Sequence, residues 1–214
     1  MRTIRVTGKG NLKVRPDTTR LTITLNGVSP EYSEAINRST AETEALRELL
    51  VKVGFKSTAM KTLSFDVDTE YESYLDEHGD YKRRFVGYKY THTVKVDFPS
   101  DNQLLGKTLY ALGKSSLAPE FRISYTVADQ EAVKNELLGK AVEDAMKKAE
   151  VLAMAAGLSL GDIQSVDYSW GEIKMEVRPM ENILMPKCAD TCEMDIEPDD
   201  IEMSDTVTVV WEIA

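Results

Sequence analysis

Alternating apolar and polar positions dominate the first third of the chain. Ile4, Val6, Leu12 and Val14 predict a strand over residues 2–14, interrupted by Gly8-Lys9-Gly10. After the turn signal Arg15-Pro16-Asp17, Leu21, Ile23 and Leu25 alternate with Thr22 and Thr24 up to Val28, the period of a half-buried strand. Ser29-Pro30-Glu31 predicts a helix start, with serine as cap, proline at the first helical position and glutamate at the positive end of the dipole. That helix runs to Val53 on an apolar face of Ala35, Ile36, Leu46, Leu49, Leu50 and Val53, and Gly54 reads as a left-handed terminator. Leu63, Phe65 and Val67 then alternate. A polar turn at His78-Gly79-Asp80 precedes a long strand with Tyr88, Tyr90, His92, Val94, Val96 and Phe98 on one face. The pair predicts a wide β-hairpin.

A short helix follows over about 101–112, then a strand carrying Ile123, Tyr125 and Val127. Asp129 is placed to cap the longest helix, which carries Val133, Leu137, Ala141, Ala145 and Leu152 and ends at Gly157. Strands with Val166, Tyr168 and Trp170, and with Val207, Val209, Trp211 and Ile213, complete the chain. The two halves lie over each other: Leu21, Ile23 and Leu25 match Ile123, Tyr125 and Val127, and Gly54-Phe55 matches Gly157-Leu158. The expected fold is α+β. A mostly antiparallel sheet packs against two long helices, built from two strand-helix-strand-strand repeats over about 18–98 and 121–214. With no Gly/Ser-rich linker, the expectation is a single domain over 1–214.

Charge narrows the partners. The net charge is -10, which disfavours phosphate backbones and anionic membrane surfaces, so nucleic acid is not an expected partner. No apolar run reaches the length of a membrane span. The N-terminal residues MRTIRVTGKG show no apolar signal core, and the expected location is cytoplasmic.

Chemical motifs are sparse. Gly106-Lys107-Thr108 and Gly113-Lys114-Ser115 resemble the end of a phosphate loop, but both lack the glycine five positions earlier and neither links a strand to a helix. Gly8-Lys9-Gly10 lacks the third glycine of a dinucleotide fingerprint and reads instead as a bulge or a close backbone approach. His78 falls in a polar turn. His92 lies on an apolar face among tyrosines and reads as a satisfied, partly buried histidine. No nucleophile is spaced to work with it, so no catalytic residue and no cofactor are assigned.

The stretch 178–205 reads as a long loop before the last strand, dispensable for folding. From Cys188 to Asp205 it has eight acidic residues and no basic one. Cys188 and Cys192, the only cysteines, form C-x3-C beside Glu193 and Asp195. These four are the candidates for a metal-binding or redox module, the alternative function; the nearby carboxylates would raise the thiol pKa values and blunt reactivity. The competing candidate is the hairpin, where Tyr71, Tyr74, Tyr81, Tyr88 and Tyr90 cluster. Tyrosine offers large contact area at low entropic cost. These five are the interface candidates of a homo-oligomer, with Lys82, Arg83 and Arg84 adding a cationic tip.

The order and spacing of several segments resemble the SIMPL-domain family, sometimes described as periplasmic immunogenic or oxidative-stress proteins. They are Val6-Thr7-Gly8-Lys9-Gly10, Val14-Arg15-Pro16-Asp17, Glu34-Ala35, Gly87-Tyr88, Ala141-Val142-Glu143-Asp144-Ala145 and Gly157-Leu158-Ser159-Leu160-Gly161. The resemblance covers nearly the whole chain. It implies an α+β fold, a link to stress response, and, in some relatives, large ring-like assemblies. It implies no catalytic residues. The expected function is therefore that of a non-enzymatic, self-associating protein.

Overall fold

A computed structural model describes residues 2–168, 173, 175–178 and 196–214. Its elements run β1 (Thr3–Val14), β2 (Thr18–Ser29), α1 (Tyr32–Val53), β3 (Met60–Leu75), β4 (Tyr81–Pro99), α2 (Asn102–Lys114), β5 (Glu120–Thr126), α3 (Gln130–Ala155), β6 (Leu160–Asp167) and β7 (Ile201–Ile213). The α+β class holds, but the expected single sheet is two. One has the order β1-β7-β6 and the other β3-β4-β2-β5. The order strand-helix-strand-strand occurs twice, yet the neighbours differ: β2 lies beside β4, whereas β7 lies between β1 and β6.

The chain divides into two compact units. One comprises Met1–Asp17, Thr126–Val177 and Pro198–Ala214; the other comprises Thr18–Tyr125 and Arg178–Glu197.

In the first unit the chain's two ends meet. β1 pairs antiparallel with β7 without a break, from Thr3↔Glu212 to Val14↔Ile201. Gly8 and Gly10 therefore do not interrupt the strand. They let α3 press against its backbone: a Cβ on Gly8 would lie 2.0 Å from the Ala141 carbonyl oxygen, and one on Gly10 2.3 Å from that of Leu137. The facing helix stripe is small to match, with Ala141, Ala145, Ala149 and Ala153 buried. The Asp144 carboxylate accepts the Lys9 backbone N–H at 2.7 Å and pairs with Lys148 at 2.6 Å. Both contacts hold the Asp144 carboxyl below the usual carboxylate range, Lys148 contributing most. Val6, Val207, Val209 and Trp211 complete this core. A second cluster joins Val127, Leu137, Met175, Ile201 and Met203.

Ile201 and Met203 correct the loop expectation, because the stretch assigned to a dispensable loop through residue 205 already belongs to β7 from Ile201. Its alternation there is Ile-Glu-Met-Ser-Asp, and the acidic residues between apolar ones had masked the period.

The second unit packs α1 and α2 against the four-stranded sheet over Leu21, Ile23, Leu25, Leu46, Leu50, Val94, Val96, Leu105 and Leu112. Its first helix starts later than expected. Ser29 is the last residue of β2, paired with Tyr88 and two positions short of the N-cap place, so it does not cap. Glu31 takes the N-cap place without a side-chain bond, and α1 begins at Tyr32. The Asp129 cap of α3 forms as expected, and Asp101 caps α2 in the same way, accepting N–H groups at 2.9–3.0 Å. No described helix is long and apolar enough to cross a membrane.

Candidate functional site: the β3–β4 arm

β4 is longer than its partner β2. Their pairing ends at Ser29↔Tyr88, whereas β4 continues back to Tyr81 paired with β3. Residues 71–85 thus form a two-stranded arm projecting past the edge of the sheet. Its root is marked by a register shift at Glu70/Tyr71 that leaves Val86 unopposed. Gly87 sits beside it at φ 155°, where a Cβ would lie 2.3 Å from the Ser29 carbonyl oxygen. That is a position only glycine tolerates, by conformation and by space.

A lone two-stranded ribbon is marginal in water, so local chemistry must hold it. At the tip the Asp76 carboxylate accepts the His78 and Asp80 backbone N–H groups at 2.9 and 3.0 Å. Lys82 pairs with Asp76 at 2.5 Å, and Arg84 bonds Glu72. The Lys82 contact, with the N–H bonds, holds the Asp76 carboxyl below its ordinary range. Along the ribbon, Tyr71 and Phe85 meet edge to face at 5.6 Å, Phe85 and Tyr88 at 5.5 Å, and Tyr88 and Tyr32 at 5.6 Å.

Residues paired across strands share a face, and faces alternate along each strand. The pairs Tyr71↔Phe85, Ser73↔Arg83 and Leu75↔Tyr81 make one face; Glu72↔Arg84 and Tyr74↔Lys82 make the other. The first face continues the row that α1 covers. Under α1, Tyr90 is fully buried and donates its hydroxyl to Glu42, and His92 bonds Thr43. The helix begins at Tyr32, above Tyr88. Beyond it none of the other described elements covers the row, and Tyr71, Leu75, Tyr81 and Phe85 are 50%, 58%, 82% and 45% exposed.

Of the five tyrosines expected at an interface, Tyr71 and Tyr81 lie on this uncovered face. Tyr74 is exposed on the charged face, and Tyr88 is half-buried at the root. Tyr90 is a correction: burial and its bond to Glu42, which also pairs with Arg38 at 2.7 Å, make it a core residue whose hydroxyl pKa is pushed up mainly by burial. Sequence reading missed Leu75 and Phe85. Carrying the period of two through the turn would have found both. It also grouped three cations at the tip, but Lys82 and Arg84 are neutralised within the arm. Arg83, on the aromatic face, has no partner among the described residues.

His92 is satisfied on both ring nitrogens, by Thr43 Oγ1 at 2.8 Å and Thr62 Oγ1 at 3.0 Å, with Phe65 edge-on at 5.3 Å. Neither nitrogen faces a cleft with a free lone pair. Burial lowers its pKa from 6.5. The unfolded chain therefore takes up the proton first, and stability should be complete above about pH 6.5 and decline as pH falls from there toward the depressed folded value. Urea unfolding at pH 7.5 and 5.5 checks this: the parent should lose stability at pH 5.5, and His92→Gln should remove most of that loss.

Cys188, Cys192, Glu193 and Asp195 lie outside the described residues. Among the described residues no group of three or more His, Cys, Asp or Glu is placed to hold a metal ion.

A family model, SIMPL, described as a protein of unknown function (DUF541), matches residues 4–211 and so spans both units. No curated protein matches the chain.

Proposed function

The chain belongs to the SIMPL family, and we propose that it acts as a self-associating protein whose contact element is the β3–β4 arm. One observation carries this reading. The helix-facing side of β3 and β4, core beneath α1, runs on past the helix as an exposed aromatic face that none of the other described elements covers. Tyr71, Leu75, Tyr81 and Phe85 are about half exposed or more, so a partner that buried them would gain on the order of 1 kcal/mol or more for each, a share of the roughly 1.5–3 kcal/mol of full burial. Clustered aromatic area rimmed by charge is the usual composition of a protein contact. The opposing net charge of -10 is screened beyond about 8 Å at physiological salt, so local complementarity decides.

Sedimentation velocity over a concentration series tests the reading. The parent should self-associate, and Tyr81→Ser/Phe85→Ser should weaken that association roughly a hundredfold or more, the scale of losing two aromatic anchors. Both side chains lie outside the cores of the chain, so circular dichroism should stay unchanged. A parent that is monomeric throughout overturns the proposal.

A further inference from the structure

The first unit also leaves apolar surface uncovered, for a reason its glycines supply. Gly8 and Gly10 draw α3 onto β1, at one edge of the order β1-β7-β6. Among the described elements, no helix lies over the opposite edge strand as α3 lies over β1. On β6, Ile163 pairs with Trp211 and Val166 with Val209. Both partners are buried beneath α3, so Ile163 and Val166 turn toward the helix side as well. Yet they are 55% and 53% exposed. On α3, Asp144 and Lys148 occupy the flank that bonds Lys9. Val142 and Met146 follow the buried Ala141 and Ala145 by one position, which turns them to the other flank. They too are exposed. Helix phase and strand register thus turn these four exposed side chains toward the gap between α3 and β6, which we read as an apolar trough. Glu150, one turn beyond Met146 on that flank, is exposed and has no partner among the described residues.

Resting on the arm as the contact element, we propose that this trough receives the arm of a second copy. The fit is in chemistry on both sides. The arm offers four uncovered apolar side chains with one free cation, Arg83, among them. The trough offers four uncovered apolar side chains with one free carboxylate, Glu150, at its end. Arg83 of one copy pairs with the carboxylate of the next while the apolar faces close. The two surfaces are different parts of the chain, so the contact is heterologous. Each copy donates one arm and accepts one, and the contact repeats head to tail until it closes on itself or continues as a filament.

Three proteins test this: the parent, the arm variant Tyr81→Ser/Phe85→Ser, and the trough variant Ile163→Ser/Val166→Ser, whose replaced side chains are more than half exposed. Each variant alone should sediment as a monomer. An equimolar mixture should form a dimer and nothing larger, because the arm variant keeps a sound trough and the trough variant a sound arm. The substitutions Arg83→Glu and Glu150→Arg should each raise the association Kd by roughly tenfold or more, and together restore it. A trough variant that assembles like the parent, while the arm variant does not, overturns the trough and leaves the arm standing. So does a mixture that yields no mixed dimer. A monomeric parent overturns both.

Discussion

Replacing Gly8 by alanine is expected to destabilise the first unit by about 3 kcal/mol or more, the upper range for forced overpacking. The added Cβ would lie 2.0 Å from the Ala141 carbonyl oxygen, 2.4 Å from the Ala145 nitrogen and 2.7 Å from the Ala145 Cβ. Two of these are helix backbone atoms, which no rotamer change can move aside. Either α3 lifts from β1 or β1 shifts along β7. Lifting opens the alanine stripe and lengthens the bond from the Lys9 N–H to Asp144; shifting disturbs the continuous ladder to β7. The control lies on the same helix. Gly139 has nothing within 4 Å of an added Cβ and no unusual φ, so Gly139→Ala should stabilise by roughly 0.5–1 kcal/mol through helix propensity. Urea unfolding followed by the fluorescence of buried Trp211 measures both, and equal effects at the two glycines would contradict the close-approach account.

The second large effect is expected where the sequence suggested none. Ile201→Ala should cost about 2–5 kcal/mol, the range for truncating a fully buried aliphatic side chain, and Met203→Ala a similar amount. Ile201 is 2% exposed and Met203 7%. They pack with Val127, Leu137 and Met175 under the far end of the β1–β7 ladder. Ile201 pairs with Val14 and Met203 with Leu12. Neighbouring Glu202, paired with Lys13 at 3.4 Å across the surface, should tolerate Glu202→Ala within about 0.5 kcal/mol, as exposed ion pairs contribute little. Thermal unfolding of the three variants separates core from loop. Tolerance of Ile201→Ala would return this stretch to the loop first expected there.

What the sequence made legible follows from which interactions are local. The helices themselves, the Asp129 cap and the terminating glycines are set within a few residues, and the structure shows them, with Gly54 at φ 125° and Gly157 at φ 71°. The start of α1 was misread because a cap signal at Ser29 competes with a strand ladder, and the pairing of Ser29 with Tyr88 wins. Strand partners were not legible. β1 finds β7 some two hundred residues away, and no period within either strand encodes that choice. Gly8-Lys9-Gly10 was read as a bulge or a close approach; the unbroken ladder excludes the bulge, and the element that approaches was hidden. The complementary signal lay in the alanines spaced by four along α3. At the arm, clustering of tyrosines singled out the hairpin that carries the exposed aromatic face. Their division between two faces needed the register across the turn, which separates Tyr74 from Tyr71 and Tyr81 and brings in Phe85 and Leu75.

The claim that the arm's aromatic face is the contact surface is tested most directly by hydroxyl-radical footprinting of the parent at dilute and concentrated extremes. Tyr81 and Phe85 should be labelled in the dilute sample and protected in the concentrated one. Tyr74, on the opposite face of the same ribbon, should be labelled alike in both. Labelling of Tyr81 and Phe85 that does not change with concentration would contradict the account.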